Sequence, residues 1–179
     1  MYLSLNWLRE LTPYEGTSED LAKVLTMLGL EVEEQFQPFG HLEPVLVGSI
    51  RECSPHPEAD SLSLCRVDLG EGELRPIVCG APNCAEGQLV PVALPGTELP
   101  SGQQVKNRSV RGQASEGMIL SERELGLGED QSGIMLLDRL CRPGTPLPEA
   151  LGLRDWIFDM GITPNRGDCL SVLGVAREV

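Results

Sequence analysis

Three cations, Lys106, Arg108 and Arg111, stand close together in a stretch, 101–115, that contains no acid. Side chains of this type and spacing can contact neighbouring phosphates, because neutralising phosphate takes a local surplus of Lys and Arg. The bland alternative is a solvated loop. Cysteines 53, 65, 79, 84, 141 and 169 offer a second chemistry. Cys53 and His56 have C-x2-H spacing, and Cys79 and Cys84 have C-x4-C spacing, which raises the question of zinc. A structural zinc site takes four soft ligands in compact pairs, and these pairs are loose. Most of the cysteines lie in apolar strand-like runs such as Leu64–Val67 and Ile77–Cys79. They read as reduced, buried thiols that act as small hydrophobes, so no metal ligand is assigned.

Signals for catalysis are missing. There is no G-x-S-x-G elbow, no H-E-x-x-H and no G-x-x-x-x-G-K-[ST] phosphate loop. Gly126-Leu127-Gly128 with Gly133 imitates a dinucleotide loop at the wrong spacing and outside any βαβ unit. Of the two histidines, His41 and His56, the second lies between Pro55 and Pro57 and reads as part of a rigid turn. Asn107-Arg108-Ser109 matches a glycosylation sequon, but no secretion signal precedes it. Asp168, in Arg166-Gly167-Asp168, reads as the N-cap of a final helix. No catalytic residue is therefore assigned.

The chain has 179 residues, 27 acids against 14 bases and a net charge of −13. A broadly basic nucleic-acid binder is excluded. The deficit is uneven: segments 1–43, 44–100, 116–150 and 151–179 carry −6, −5, −4 and −1, whereas 101–115 carries +3. Apolar runs are too short for a membrane span, and Met1 does not open a signal peptide. A soluble, cytoplasmic chain without a membrane partner is expected.

The elements that must position the basic island divide the sequence in two. Ser4 caps a short helix, Leu5–Leu11, and Thr17–Asp20 opens a second, ended at Gly29. Leu30–Gln37 alternates as a strand. The middle is β-rich, with strands expected at Val45–Cys53, Ser61–Leu69, Leu74–Cys79, Leu89–Leu94, Val105–Val110, Met118–Leu120 and Ile134–Leu137. Gly70–Glu73 is a hairpin turn. Five or six short strands suggest a small closed barrel of the oligonucleotide-binding (OB) type. Trp156–Ile162 reads as a last strand, and Asp168–Val179 as a helix that stops without a cap, as if cut from a longer chain. All seven aromatics lie at or before Phe39, or at Trp156 and Phe158. Large aromatics dominate the core they join, so the two ends are expected to pack together. The fold class is then α+β: a five-stranded OB-type barrel, 41–151, inserted into a small discontinuous α+β domain, 1–40 plus 152–179.

Longer strings narrow the function. His56–Leu62, Ile77–Asn83, Arg111–Met118 and Glu124–Leu127 together resemble the tRNA-binding barrel found on several aminoacyl-tRNA synthetases. The tail Ile162–Ser171 with Gly174–Glu178, and the start Met1–Leu11, are similar to the N-terminal part of bacterial phenylalanyl-tRNA synthetase β subunits. The resemblance covers essentially the whole chain. It departs at Gly167, where the family has proline, and at Asn107 and Ser109, which interrupt the family's basic run.

The resemblance implies a non-catalytic tRNA-binding module that supports ATP-dependent charging of tRNA(Phe) with phenylalanine. It implies an α-subunit partner in an α2β2 heterotetramer, aminoacylation on α, and editing beyond Val179. ATP and Mg²⁺ are implied only for the whole enzyme. Lys106, Arg108 and Arg111 would contact phosphates. Ser115, Glu116 and Met118 match the family's groove motif: Ser115 as a donor to phosphate or ribose, Glu116 as an acceptor for a 2′-OH, as an orienter of Arg111, or as a structural residue. His56 and Asp60 would hold the turn that opens a strand, and Asn83 its own turn. Without aromatics between 40 and 155, base stacking is not available, so contact with folded tRNA through backbone and 2′-OH groups is expected. The competing expectation, supported by the −13 charge, is a scaffold that braces subunit assembly and touches tRNA little.

Overall fold

Ser4 stands ahead of an apolar pair one helical turn apart, Leu5 and Leu8, and its hydroxyl accepts from Trp7 N–H. This starts α1 (Leu5–Leu11) directly after β1 (Tyr2–Ser4) in the computed structural model, which describes residues 1–179. Thr17 caps α2 (Ser18–Met27) by accepting from Asp20 N–H, with Glu19 and Asp20 set against the positive helix start. Leu21 and Leu25 lie on its buried face. Gly29, at φ 80°, lets the chain turn out of the helix into β2 (Glu31–Phe36).

The middle of the chain builds β3 (Val45–His56), β4 (Ala59–Asp68), β5 (Leu74–Cys79), β6 (Leu89–Ala93), β7 (Arg108–Val110), β8 (Gln113–Ser115) and β9 (Met118–Ile119). Two short helices, α3 (Glu122–Leu125) and α4 (Leu147–Ala150), follow. Five strands form one antiparallel sheet in the order β5-β4-β3-β6-β9, and β7 with β8 form a separate hairpin. Two register shifts bend β3, after Ile50 and after Pro55, so that one long strand serves two partners. Gly48, ahead of both shifts, allows close packing inside the sheet, because an added Cβ would lie 2.6 Å from Val92 and 2.7 Å from Val67. Ile50, Val67, Ile77, Val90, Val92 and Ile119 fill the interior.

The ladder does not close between β5 and β9. Two bonds from the β8–β9 segment reach β5 instead: Glu116 N–H donates to Pro76 C=O at 2.8 Å, and Val78 N–H to Ser115 Oγ at 3.1 Å. The stretch Ile134–Leu137, expected as a strand, is irregular. Its Met135 N–H bonds Leu120 C=O and its Leu137 N–H bonds Leu89 C=O, so consecutive bonds go to different segments and no ladder forms. Val105 pairs locally with Gly96 and Thr97, which delays the start of β7 to Arg108.

The chain then gives β10 (Ile157–Gly161), a 3₁₀ stretch (Pro164–Cys169) and α5 (Val172–Glu178). A second antiparallel sheet has the order β1-β10-β2. Ser171, not Asp168, caps α5 by accepting from Gly174 N–H, while Asp168 pairs with Arg166 at 3.2 Å. The compact units are 1–40 with 154–179, and 41–153. The core of the first is mostly aliphatic: Leu3, Leu8, Leu21, Leu25, Leu30, Met160 and Val175 surround Phe158. Tyr2 and Trp7, expected to be inside, are 66% and 55% exposed, and Tyr2 meets only the edge of Phe36. No helix is long and apolar enough to cross a membrane.

Candidate nucleic-acid interface

Two cations of the basic island, Arg108 and Arg111, are carried by the β7–β8 hairpin, and Lys106 lies two residues ahead of it. Its two-residue turn, Arg111-Gly112, has positive φ at both positions (46° and 81°), as the twist of a tight hairpin demands. Arg111 is the one non-glycine residue with positive φ. Gly would avoid the strain of about 1–2 kcal/mol that a Cβ brings there, and Asn would offset it by local side-chain hydrogen bonding. Arg111 Nη1 donates to Glu58 C=O at 2.9 Å and leaves its other donors exposed.

His56 fixes this hairpin to the β3–β4 turn. It is 4% exposed. Its Nδ1 faces Glu58 N–H at 3.0 Å and its Nε2 faces Val110 C=O at 3.2 Å. A backbone N–H can only donate and a carbonyl can only accept, so the proton sits on Nε2 and both ring nitrogens are used. The turn role expected for His56 thus includes a partner 54 residues away, and the zinc pairing with Cys53 fails because neither nitrogen is available. Asp60 does not share in this. Its carboxylate is exposed at the start of β4, where water solvates it, and it makes no hydrogen bond to the turn.

Lys106 and Arg108 are exposed and make no ion pair. They line one side of a groove of about 200 Å³ whose other walls include Val78, Val105, Val110 and Met118. Val78 and Met118 also line a neighbouring hollow of about 340 Å³ that continues past Pro82 to Gln131 and Ser132. Together they make a trough with the cations in one hollow, and polar groups that include the Glu124 carboxylate in the other. Arg111, at the hairpin tip, stands outside its lining.

Ser115 is buried, and it donates its only proton to Gly117 C=O at 3.2 Å while accepting from Val78 N–H. A direct donor role toward phosphate or ribose is therefore replaced by a structural one: the hydroxyl ties β8 to β5. Glu116 uses its backbone in the same seam, and its half-buried side chain makes no hydrogen bond to Arg111. Gly117 (φ 153°) passes so close to β6 that a Cβ would lie 2.9 Å from Ala93 C=O. The Ser-Glu-Gly-Met string is thus a seam motif from which Met118 reaches the groove.

Asn83 reaches beyond its own turn. Its Nδ2 donates to Ile134 C=O and its Oδ1 accepts from Ile134 N–H, both at 2.9 Å, so one side chain takes the place of a strand partner. A Cβ at Gly133 would collide with that amide. Gln88 completes the loop by accepting from Ala85 N–H and donating to Asn83 C=O. Spacing gives no sign of this far wall of the trough.

Three of the cysteines converge. The thiols of Cys53, Cys65 and Cys84 all lie within 4.8 Å of one another, and Cys79, whose Sγ accepts from Ala81 N–H, is buried close by. Contact with Cys65, and burial, push Cys84 up to about 12. Contact with Cys84, and burial, push Cys79 up as well.

Residues 45–146, which include the whole hairpin and trough, match the family described as "Putative tRNA binding domain". The chain belongs to that family. Over all 179 residues it is 58% identical to the phenylalanine–tRNA ligase β subunit of Nitratidesulfovibrio vulgaris and 56% identical to that of Oleidesulfovibrio alaskensis. Over 175 residues, 97% of the chain, it is 51% identical to the corresponding subunit of Bordetella bronchiseptica. In each case it spans 22% of the relative's length.

Proposed function

We infer that the chain is the tRNA-binding accessory part of a phenylalanyl-tRNA synthetase β subunit, and that Lys106, Arg108 and Arg111 meet the phosphates of tRNA(Phe). The observation that carries this reading is two unpaired, exposed cations on the rim of a groove, inside the family-matched segment of an acidic chain. Arg111 supports it, because a strained turn position holds an arginine where a smaller residue would fit better. Beside its two cations and the Glu124 carboxylate, the trough offers apolar and polar walls but no aromatic, which suits contact with backbone and 2′-OH groups of a folded RNA. The sheet of β3, β4, β5, β6 and β9 then serves as an OB-type barrel whose β5–β9 gap is bridged by Ser115 and Glu116 rather than by a ladder.

On this reading the module is non-catalytic. Aminoacylation falls to the α subunit of a cytoplasmic α2β2 enzyme, and ATP and Mg²⁺ serve that whole enzyme. The trough does not suit Mg²⁺, since its one carboxylate, Glu124, accepts from both Ser121 N–H and Ser121 Oγ at 2.8 Å.

The test replaces Lys106, Arg108 and Arg111 together by Ala in the full enzyme. The expected result is weaker tRNA binding and a raised KM for tRNA, with amino-acid activation intact. Unchanged affinity and KM would remove direct binding and leave the bracing role, which the net charge of −13 favours.

A further inference from the structure

We propose that Cys53, Cys65 and Cys84 form a three-thiolate site for Zn²⁺ that clips the turn after β5 to the β3–β4 ladder. Cys53 and Cys65 are direct partners across that ladder. Cys84 comes from the turn that follows β5, and its Sγ stands 3.3 Å from Cys65 Sγ and 3.9 Å from Cys53 Sγ. Sulfurs bound to one tetrahedral zinc at about 2.3 Å are about 3.8 Å apart, so the cluster needs only small side-chain adjustments to close on an ion.

The third ligand is held before any metal arrives. Asn83 on one side of Cys84 is bonded twice to Ile134, and Ala85 on the other is bonded to Gln88. A site whose ligands are positioned by their neighbours binds with little ordering cost. All three donors are sulfur, which selects thiophilic ions over Mg²⁺ or Ca²⁺. Cys65 is 2% exposed, so residual charge matters. Three thiolates leave −1 around Zn²⁺ but −2 around Cu⁺, and low-dielectric burial favours the smaller charge.

Binding forms three Zn–S bonds and releases three thiol protons to the buffer. A water supplies the fourth position, which keeps the site at three thiolates and a net charge of −1. This set differs from the pairs that sequence spacing offers: His56 is excluded by its backbone bonds, and Cys65 enters through strand register.

The test uses the full chain expressed with added Zn²⁺, desalted under argon, and analysed for metal and for alkylatable thiols. About one Zn²⁺ per chain is expected, with the three cysteines protected from alkylation until a chelator is added. Cd²⁺ added to the metal-free chain should give a sulfur-to-metal charge-transfer band. Cys84→Ser and, separately, Cys53→Ser should lose the metal and the band, while Cys141→Ser should keep both. Either ligand variant suffices if the other does not fold. A folded chain that retains no zinc and shows no band overturns the proposal. So does a Cys65–Cys84 disulfide in chain isolated without oxidant, or binding that survives both ligand variants.

Discussion

His56 is the residue whose loss should couple stability to RNA binding. His56→Ala removes the acceptor of Glu58 N–H and the donor to Val110 C=O. Each bond is worth about 0.5–1.5 kcal/mol net. The ring is almost fully buried, so its removal also leaves a cavity beneath the hairpin. Together these give a loss of about 2–4 kcal/mol. At about 4 °C per kcal/mol for a unit of this size, Tm falls by about 8–16 °C.

Val110 lies between Arg108 and Arg111, so the same change frees the cations without removing them. Ordering a residue's backbone again on binding costs about 1–2 kcal/mol. An affinity loss of about 5–30-fold is expected. The slope of affinity against salt should be kept, because the number of phosphate contacts is unchanged. Calorimetry and filter binding across a salt series read both effects. An unchanged Tm would show that the two ring bonds carry no weight. A fall in salt slope as large as that of the charge-removing variant would show that His56 acts on something other than hairpin order.

Gly117→Ala forces a Cβ to 2.9 Å from Ala93 C=O at φ 153°, and a destabilisation of about 1–3 kcal/mol in urea melts is expected. Arg111→Gly relieves the left-handed strain but loses the bond to Glu58 C=O, so stability should stay within about 1 kcal/mol while tRNA affinity falls. Bonds from Arg51 and from Gly70 N–H hold Asp68 below its ordinary carboxylate value of 3.8. The ionised carboxylate therefore stabilises the fold above that pH, and the contribution fades as pH falls through the lowered value. Asp68→Asn should lower Tm at neutral pH, and its difference from the parent chain should shrink in acid.

Much of the architecture was legible because it rests on local rules. Ser4 and Thr17 start helices where a hydroxyl precedes an apolar periodic run, and β5 ends where Cys79-Gly80 breaks the run. Where tertiary bonds decide, the sequence misleads. β1 is too short to show alternation and is defined by its pairing with β10. Ile134–Leu137 has strand composition, but its donors are claimed by Leu120 and Leu89. The uneven aromatics pointed to a shared core of the two ends, which does form around Phe158, but most of that core is aliphatic and Tyr2 and Trp7 stay outside.

The candidate site shows the same division. Charge placed Lys106, Arg108 and Arg111 on one segment, and the structure puts Arg108 and Arg111 on one hairpin with Lys106 two residues ahead of it. The inward turn of Ser115, the reach of Asn83 to Ile134 and the meeting of Cys53, Cys65 and Cys84 depend on register and loop anchoring, which spacing does not encode.

The most direct measurement of the central claim is the salt dependence of tRNA(Phe) affinity, compared between the parent enzyme and the Lys106→Ala/Arg108→Ala/Arg111→Ala variant. Three phosphate contacts contribute about 2–3 to the slope of log affinity against log salt. The variant should lose that amount of slope and bind more weakly at low salt. Equal slopes and equal affinities would contradict the claim and leave this face of the protein with no part in holding tRNA.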